Sequence, residues 1–261
     1  MSLRINQNVD AFNAYRNLST TQSQMSKSLE KLSSGYRINR AADDAAGLAI
    51  SEGLRSQVGG LKVGVRNAQD GISVAQTAEG ALTEVHSMLQ RMNDLSVQYA
   101  NGTQDTNSQA ALESEFDALQ TEITRITDNA KFNGVALFGG TAFTFQVGSD
   151  SADTIDVSAT ALAAVDTSAA VITDSTTVQT AITAISTQRA ELGAVQNRFE
   201  HTINSVSVAI ENLSASESRI RDTDMAAEMV SFTRANILSQ AGTSMLAQAN
   251  QAPQGVLQLL R

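Results

Sequence analysis

Apolar positions three and four residues apart run along most of the chain and set its predicted elements. Residues 3–32 place Ile5, Val9, Phe12, Leu18, Met25, Leu29 and Leu32 at helical spacings among polar residues, which predicts an amphipathic helix of modest hydrophobicity. Alone, that stripe buries too little to offset the entropy of ordering it, so the helix needs a partner. A longer stripe passes through Ile50, Leu54, Val58, Leu61, Val65, Ala68, Ile72, Ala75, Ala78, Leu82, Val85, Leu89, Met92, Leu95 and Tyr99, keeping phase across Gly59-Gly60. It predicts one helix from about Asp44 to Ala100, roughly 85 Å long at about 1.5 Å per residue, with the paired glycines marking the close approach of another backbone.

A polar turn at 101–108 separates this helix from Leu112, Phe116, Leu119, Ile123 and Ile126, which predict an antiparallel return helix over about 109–129. Asn133-Gly134 and Gly139-Gly140 then break helicity. Between 142 and 158 apolar and polar residues alternate, with Phe143, Phe145 and Val147 on one side of Gly148-Ser149-Asp150 and Ile155 and Val157 on the other; this predicts a β-hairpin, which two strands can sustain only by lying on the helices. Residues 160–177 read as a small-residue linker without assigned structure. A third long stripe follows in Val178, Ile182, Ile185, Leu192, Val195, Phe199, Ile203, Val206, Ile210, Leu213 and Ile220, matching the first long helix in length as an antiparallel partner would. Beyond Asp222-Thr223-Asp224, Met225, Met229, Phe232, Ile237, Ala241, Met245 and Ala249 predict a terminal helix ending near Asn250, stopped by the lone Pro253.

The expected fold class is mainly α, a long antiparallel helical coiled-coil bundle with one β-hairpin. Three segments emerge: 1–43, a central helical part 44–221, and 222–261. The joint between the first two is the stretch Leu29 to Ile50, where Gly35 suits a left-handed helix cap and Asp43 or Asp44 an N-cap.

Composition supports helices packed through small faces. The 261 residues include one Pro, no Cys, no Trp and 4% aromatics. Net charge is −9, which argues against nucleic acid as a partner. Arg4, Arg16, Lys27, Lys31, Arg37 and Arg40 against Asp10, Glu30 and Asp43 give residues 1–43 a charge of +3, residues 222–261 carry −1, and the centre holds the remaining −11. The weakly charged ends are therefore the better candidates for self-packing. No apolar run has the length of a signal peptide or a membrane span, so composition alone points to the cytosol and to no membrane insertion.

Candidate chemistry is sparse. His86 and His201 are the only histidines and sit within helical stripes, there is no Cys nucleophile, and HExxH, GxSxG and phosphate-loop motifs do not occur. Asp43-Asp44 could bind a cation, but capping accounts for it better. No enzymatic activity, cofactor or metal is expected. Asn101-Gly102-Thr103 is a formal glycosylation sequon, and Ser and Thr of the middle are candidates for O-linked sugars.

Specific wording goes further than pattern. SSGYRINRAADDAAGLAI, residues 33–50, resembles the N-terminal hallmark of bacterial flagellin; Phe132-Asn133-Gly134 resembles its loop after the second helix; and AGTSMLAQANQAPQGVLQLLR, residues 241–261, resembles its C-terminus. The resemblance covers about 1–140 and 175–261. It implies a structural subunit that self-assembles into the flagellar filament, with terminal helices pairing into an inner coiled coil on polymerisation through Ile5, Val9, Phe12, Leu18, Met25, Leu29, Leu32, Met229, Phe232, Ile237, Met245, Leu257, Leu259 and Leu260. Arg37 and Arg40 are then expected to contact acidic groups of neighbouring subunits. Export through the flagellum's own type III apparatus, with an export chaperone and a cap protein as partners, is also implied, which reverses the cytosolic expectation. Because 141–177 leaves room for little beyond the hairpin and linker, the chain reads as a short form without large outer domains.

Two host partners follow from the same resemblance. Leu89, Gln90, Arg91, Leu95, Val97 and Gln98, with Glu122 on the return helix, match the patch read by the flagellin-sensing Toll-like receptor, although Asn93-Asp94 stands where an Arg-Glu pair is frequent. Leu257, Leu259 and Leu260 match the segment sensed by cytosolic inflammasome receptors. The competing readings are a hook-filament junction protein with related termini and another type III secreted helical protein without them.

Overall fold

The computed structural model describes residues 7–167 and 170–259, with backbone alone from 252 onward. Among the described residues five helices carry the fold: α1 (Val9–Ser34), α2 (Ala45–Tyr99), α3 (Thr106–Asn129), α4 (Ser175–Arg221) and α5 (Met225–Leu259). Between α3 and α4 lie two antiparallel pairs, β1 (Lys131–Phe132) with β2 (Val135–Ala136) and β3 (Phe143–Gln146) with β4 (Thr154–Val157). The chain divides into two compact units, one from residues up to 55 and from 213 onward, the other from 56 to 212.

In the second unit, the long stripe of α2 is the spine of the core. Ala78, Leu82, Val85, Leu89, Met92 and Leu95 are fully buried, against Phe116 and Ile123 of α3 and Val178, Ile185, Leu192 and Phe199 of α4. Burying each large apolar side chain contributes about 1.5–3 kcal/mol, so this stripe dominates the unit's stability. Both partners run antiparallel to α2: Arg91 pairs with Glu115 at 2.8 Å and Arg189 with Glu79 at 3.6 Å, while Gly71 of α2 lies under the Phe199 ring of α4. α3 begins a turn earlier than its apolar stripe because the Asp105 carboxylate accepts from the Ser108 N–H as an N-cap.

The β3–β4 hairpin forms where the alternation predicts it, with Phe145 opposite Ile155. It rests on helices of this unit. Phe145 meets the Phe199 ring edge to face at 5.5 Å, and the Asn67 side chain donates to the Gln146 carbonyl at 2.8 Å. Among the α2 glycines, Gly59 looks into open space, Gly60 lies 3.4 Å from the Ser149 backbone measured from where its Cβ would stand, and the tightest approach is at Gly64, where a methyl would overlap the Val147 carbonyl.

Three sequence expectations need correcting. A second hairpin, β1–β2, closes over Asn133 (φ 48) and Gly134 (φ 83) in a two-residue turn whose positive φ values match the strand twist. The described residues of the small-residue segment after β4 are ordered irregular backbone: Ala161, Leu162, Thr167, Ala170 and Ile172 are buried, with Gln188 donating to the Ala163 carbonyl and Gln120 to that of Thr167. Helix α5 does not stop at Pro253 but continues to Leu259. A proline removes one N–H from the helical ladder, and the loss is confined to the carbonyl four residues earlier.

Candidate assembly surface

In the first unit α1 packs along α5 in an antiparallel pair. The sheltered positions of α1 are Ala11, Ala14, Leu18, Thr21, Met25, Ser28 and Leu32; those of α5 are Phe232, Ala235, Ser239, Gly242, Leu246 and Ala249. Both sets alternate steps of three and four residues, the repeat that keeps one face of a helix on a supercoiling partner. Most members are small. Leu18 fills the space over Gly242, its Cδ1 only 3.2 Å from where a Cβ would stand, so the backbones approach closely there.

Bulky apolar residues occupy the outer faces of the same helices. Val9, Phe12, Tyr15 and Leu29 of α1, and Met225, Met229, Val230, Ile237, Leu238 and Met245 of α5, are exposed, Phe12 to 71%. Of the residues expected to pack subunits, Leu18, Met25, Leu32 and Phe232 therefore lie in or beside the intrachain seam, whereas Val9, Phe12, Leu29, Met229, Ile237 and Met245 face outward. Ile5 and Leu260 fall outside the described residues, and so do the side chains of Leu257 and Leu259. The small seam positions went unread because attention to large apolar residues misses a heptad written in Ala, Ser, Thr and Gly.

Where α1 ends and α5 begins, the chain crosses itself. Gly35, at φ 77, caps α1 by donating its N–H to the Lys31 carbonyl at 2.8 Å. Tyr36 and Asp222 then form an isolated antiparallel bridge: the Arg37 N–H donates to the Arg221 carbonyl at 2.7 Å and the Thr223 N–H to that of Gly35 at 3.0 Å. The Arg221 guanidinium lies 4.8 Å over the Tyr36 ring and pairs with Glu52 at 2.6 Å. Ile38 is buried beneath the crossing.

Arg37 and Arg40 each have a partner inside the chain. The Arg37 guanidinium donates to the Ile220 carbonyl at 2.7 Å, at the negative end of the α4 dipole, and Arg40 pairs with Glu30 at 2.8 Å. Asp44 caps α2, and Asp43 closes the loop before it. Asp43 accepts from the Arg40 and Asn39 N–H groups, which together with Lys27 and Lys31 hold its carboxyl below the ordinary carboxylate value; Asp44 accepts from the Gly47 N–H at 2.9 Å. Asp224 caps α5 through the Ala226 and Ala227 N–H groups. Among the described residues, no cluster of His, Asp and Glu could hold a metal ion.

On the other unit, Leu89 and Leu95 are fully buried, so neither can touch a receptor from its place in the core. Gln90, Arg91, Val97 and Gln98 are exposed and Glu122 is half-buried, with Arg91 paired to Glu115 and Glu122 to Arg125.

Comparison with known proteins covers nearly all of the chain. Residues 5–142 match the model of the bacterial flagellin N-terminal helical region, and residues 175–260 that of the bacterial flagellin C-terminal helical region. A flagellin of Halalkalibacterium halodurans is 55% identical over 98% of this chain and 99% of its own length. That of Bacillus subtilis is 47% identical over 99% of this chain and 100% of its own length. The crystal structure of Bacillus cereus flagellin aligns with 63% of this chain and 93% of that chain, at 26% identity and a TM-score of 0.40.

Proposed function

The chain belongs to the bacterial flagellin family, and from that premise we propose that its terminal helices, residues 1–43 and 222–261, form the layer through which subunits pack in the flagellar filament. The protein is a structural subunit of that filament. One observation carries the proposal. The α1–α5 pair spends its small residues on the intrachain seam and turns Phe12, Tyr15, Val230, Ile237 and Leu238 to the outside, where clustered apolar side chains mark an interaction surface. Other copies of the chain cover it, and residues 44–221 form the self-stable helical layer. Seeded elongation tests this: purified monomer added to filament fragments extends them, and Ile237→Asp with Phe12→Asp abolishes extension while leaving the central helices folded. A double variant that elongates at the unaltered rate overturns the packing role.

The same reading includes export of the chain through the flagellum's own type III apparatus, with an export chaperone and a cap protein as partners, and a purely structural, non-catalytic role. It also includes recognition by the flagellin-sensing Toll-like receptor through the exposed Gln90 and Arg91 and the half-buried Glu122 rather than through the buried Leu89 and Leu95. Receptor signalling unchanged by Arg91→Ala would sink that last element.

A further inference from the structure

We propose that Met225, Met229 and Met245 are a modification site for peroxide, and that their oxidation to sulfoxide prevents the unassembled subunit from joining a filament. The proposal rests on the packing role assigned to the outer face of α5.

Three observations carry it. The chain has no Cys and no Trp, so the thioethers of its seven methionines are its most readily oxidised side chains. Three of the seven lie on α5, outside the seam with α1, and are 47%, 51% and 66% exposed at Met225, Met229 and Met245 respectively. Met92, in the core of the other unit, is 0% exposed and serves as an internal reference.

The chemistry balances with hydrogen peroxide alone. A sulfur lone pair attacks one peroxide oxygen, the O–O bond breaks, an S–O bond forms, and water leaves; sulfur loses two electrons and the peroxide gains them. Each event turns a flexible apolar side chain into a polar one. On an outer face where Met229 stands with Val230, Ile237 and Leu238 beside Thr233 and Arg234, a sulfoxide oxygen gives up its hydrogen bonds to water when a second subunit docks, and a buried polar atom that does not regain them opposes docking. Within a filament the same sulfurs are covered, so the modification reads out whether a subunit is still free.

Full-length monomer and assembled filaments are each exposed to hydrogen peroxide, oxygen uptake is mapped by peptide mass spectrometry, and the treated monomer is used in seeded elongation. Free monomer is expected to gain oxygen at Met225, Met229 and Met245 at least tenfold faster than at Met92, and its elongation rate to fall at least tenfold. Assembled filaments are expected to protect Met225, Met229 and Met245 at least tenfold. The triple variant M225L/M229L/M245L, compared with its own untreated sample, loses no elongation on peroxide treatment, and methionine sulfoxide reductase restores the oxidised parent. Protection in filaments combined with undiminished elongation by oxidised monomer overturns the modification proposal alone. Oxidation of Met229 and Met245 as fast in filaments as in monomer overturns the packing role on which it rests. A triple leucine variant that loses elongation on treatment as the parent does assigns the effect elsewhere and overturns the site.

Discussion

The side-chain amide of Asn8 donates to the carbonyl of Ala249 at 2.7 Å, joining residues 241 positions apart. That carbonyl is the one whose usual donor, four residues on, is Pro253, which has no N–H to give. The other end of the same amide accepts from the Ala11 N–H at 3.1 Å as the N-cap of α1. One residue thus starts the first helix and repairs the last.

Substitutions at Asn8 separate its two bonds. Asn8→Ala removes both and should cost the terminal pair about 1–2 kcal/mol; amide exchange should quicken at Ala11 and around Ala249 alike. Asn8→Asp keeps an oxygen for the cap but offers the Ala249 carbonyl no donor, so exchange should quicken only on the α5 side. Equal protection of α5 in the parent and in Asn8→Asp would show that the proline gap needs no outside donor.

Neighbouring glycines of α2 should respond in opposite directions. Gly64→Ala drives a methyl into the Val147 carbonyl and should destabilise the hairpin's seat by about 1–3 kcal/mol. Gly59→Ala meets nothing and stiffens a helix interior, gaining about 0.5–1 kcal/mol. Urea unfolding followed by circular dichroism distinguishes the two signs.

At the crossing, Arg37→Glu exchanges a donor to the Ile220 carbonyl for a carboxylate at the negative end of α4. Faster exchange of the Arg37 and Thr223 amides in the isolated monomer is expected, because the Tyr36–Asp222 bridge loosens. A monomer unchanged in exchange but defective in elongation would instead return Arg37 to a role between subunits.

Acid should act on the loop before α2. Asp43 titrates below its usual 3.8 because the Arg40 N–H, and after it the Asn39 N–H, bond its ionised form. A carboxyl depressed in the folded state stabilises fully above the unfolded value and loses that contribution as the pH falls through the folded one. Protection of the Asn39 and Arg40 amides should therefore hold from neutral pH down to 3.8 and fall below it, whereas Asp43→Asn should show weaker protection that no longer varies over that range.

The helices were legible wherever bulky residues wrote the period. The α2 stripe from Val58 to Leu95 reads directly as core because Leu, Val and Met recur every three or four residues, and β3–β4 reads from its alternation. The α1–α5 seam was hidden, since Ala11, Ala14, Thr21, Ser28 and Ala235 resemble helix surface until a partner is known, and the larger Phe12 and Ile237 draw the eye to the opposite face. Residues 160–167 were illegible for another reason. Their order comes from Gln120, Gln188 and Glu191, donors and acceptors far away in sequence that no local pattern announces. Pro253 misled because its cost depends on Asn8, at the other end of the chain.

A polypeptide is made from its N-terminus, so Asn8 exists long before Ala249 does, and the pairing between them must wait for all the chain that lies between. Closing so long a loop is slow unless intervening structure has already shortened it; the Tyr36–Asp222 bridge and the Glu52–Arg221 pair do that by holding the starts of both end segments together. The seam between α1 and α5 therefore acts as a late checkpoint: a chain cut short between α4 and Ala249 keeps the core of its middle, yet leaves the small face of α1 without its full partner.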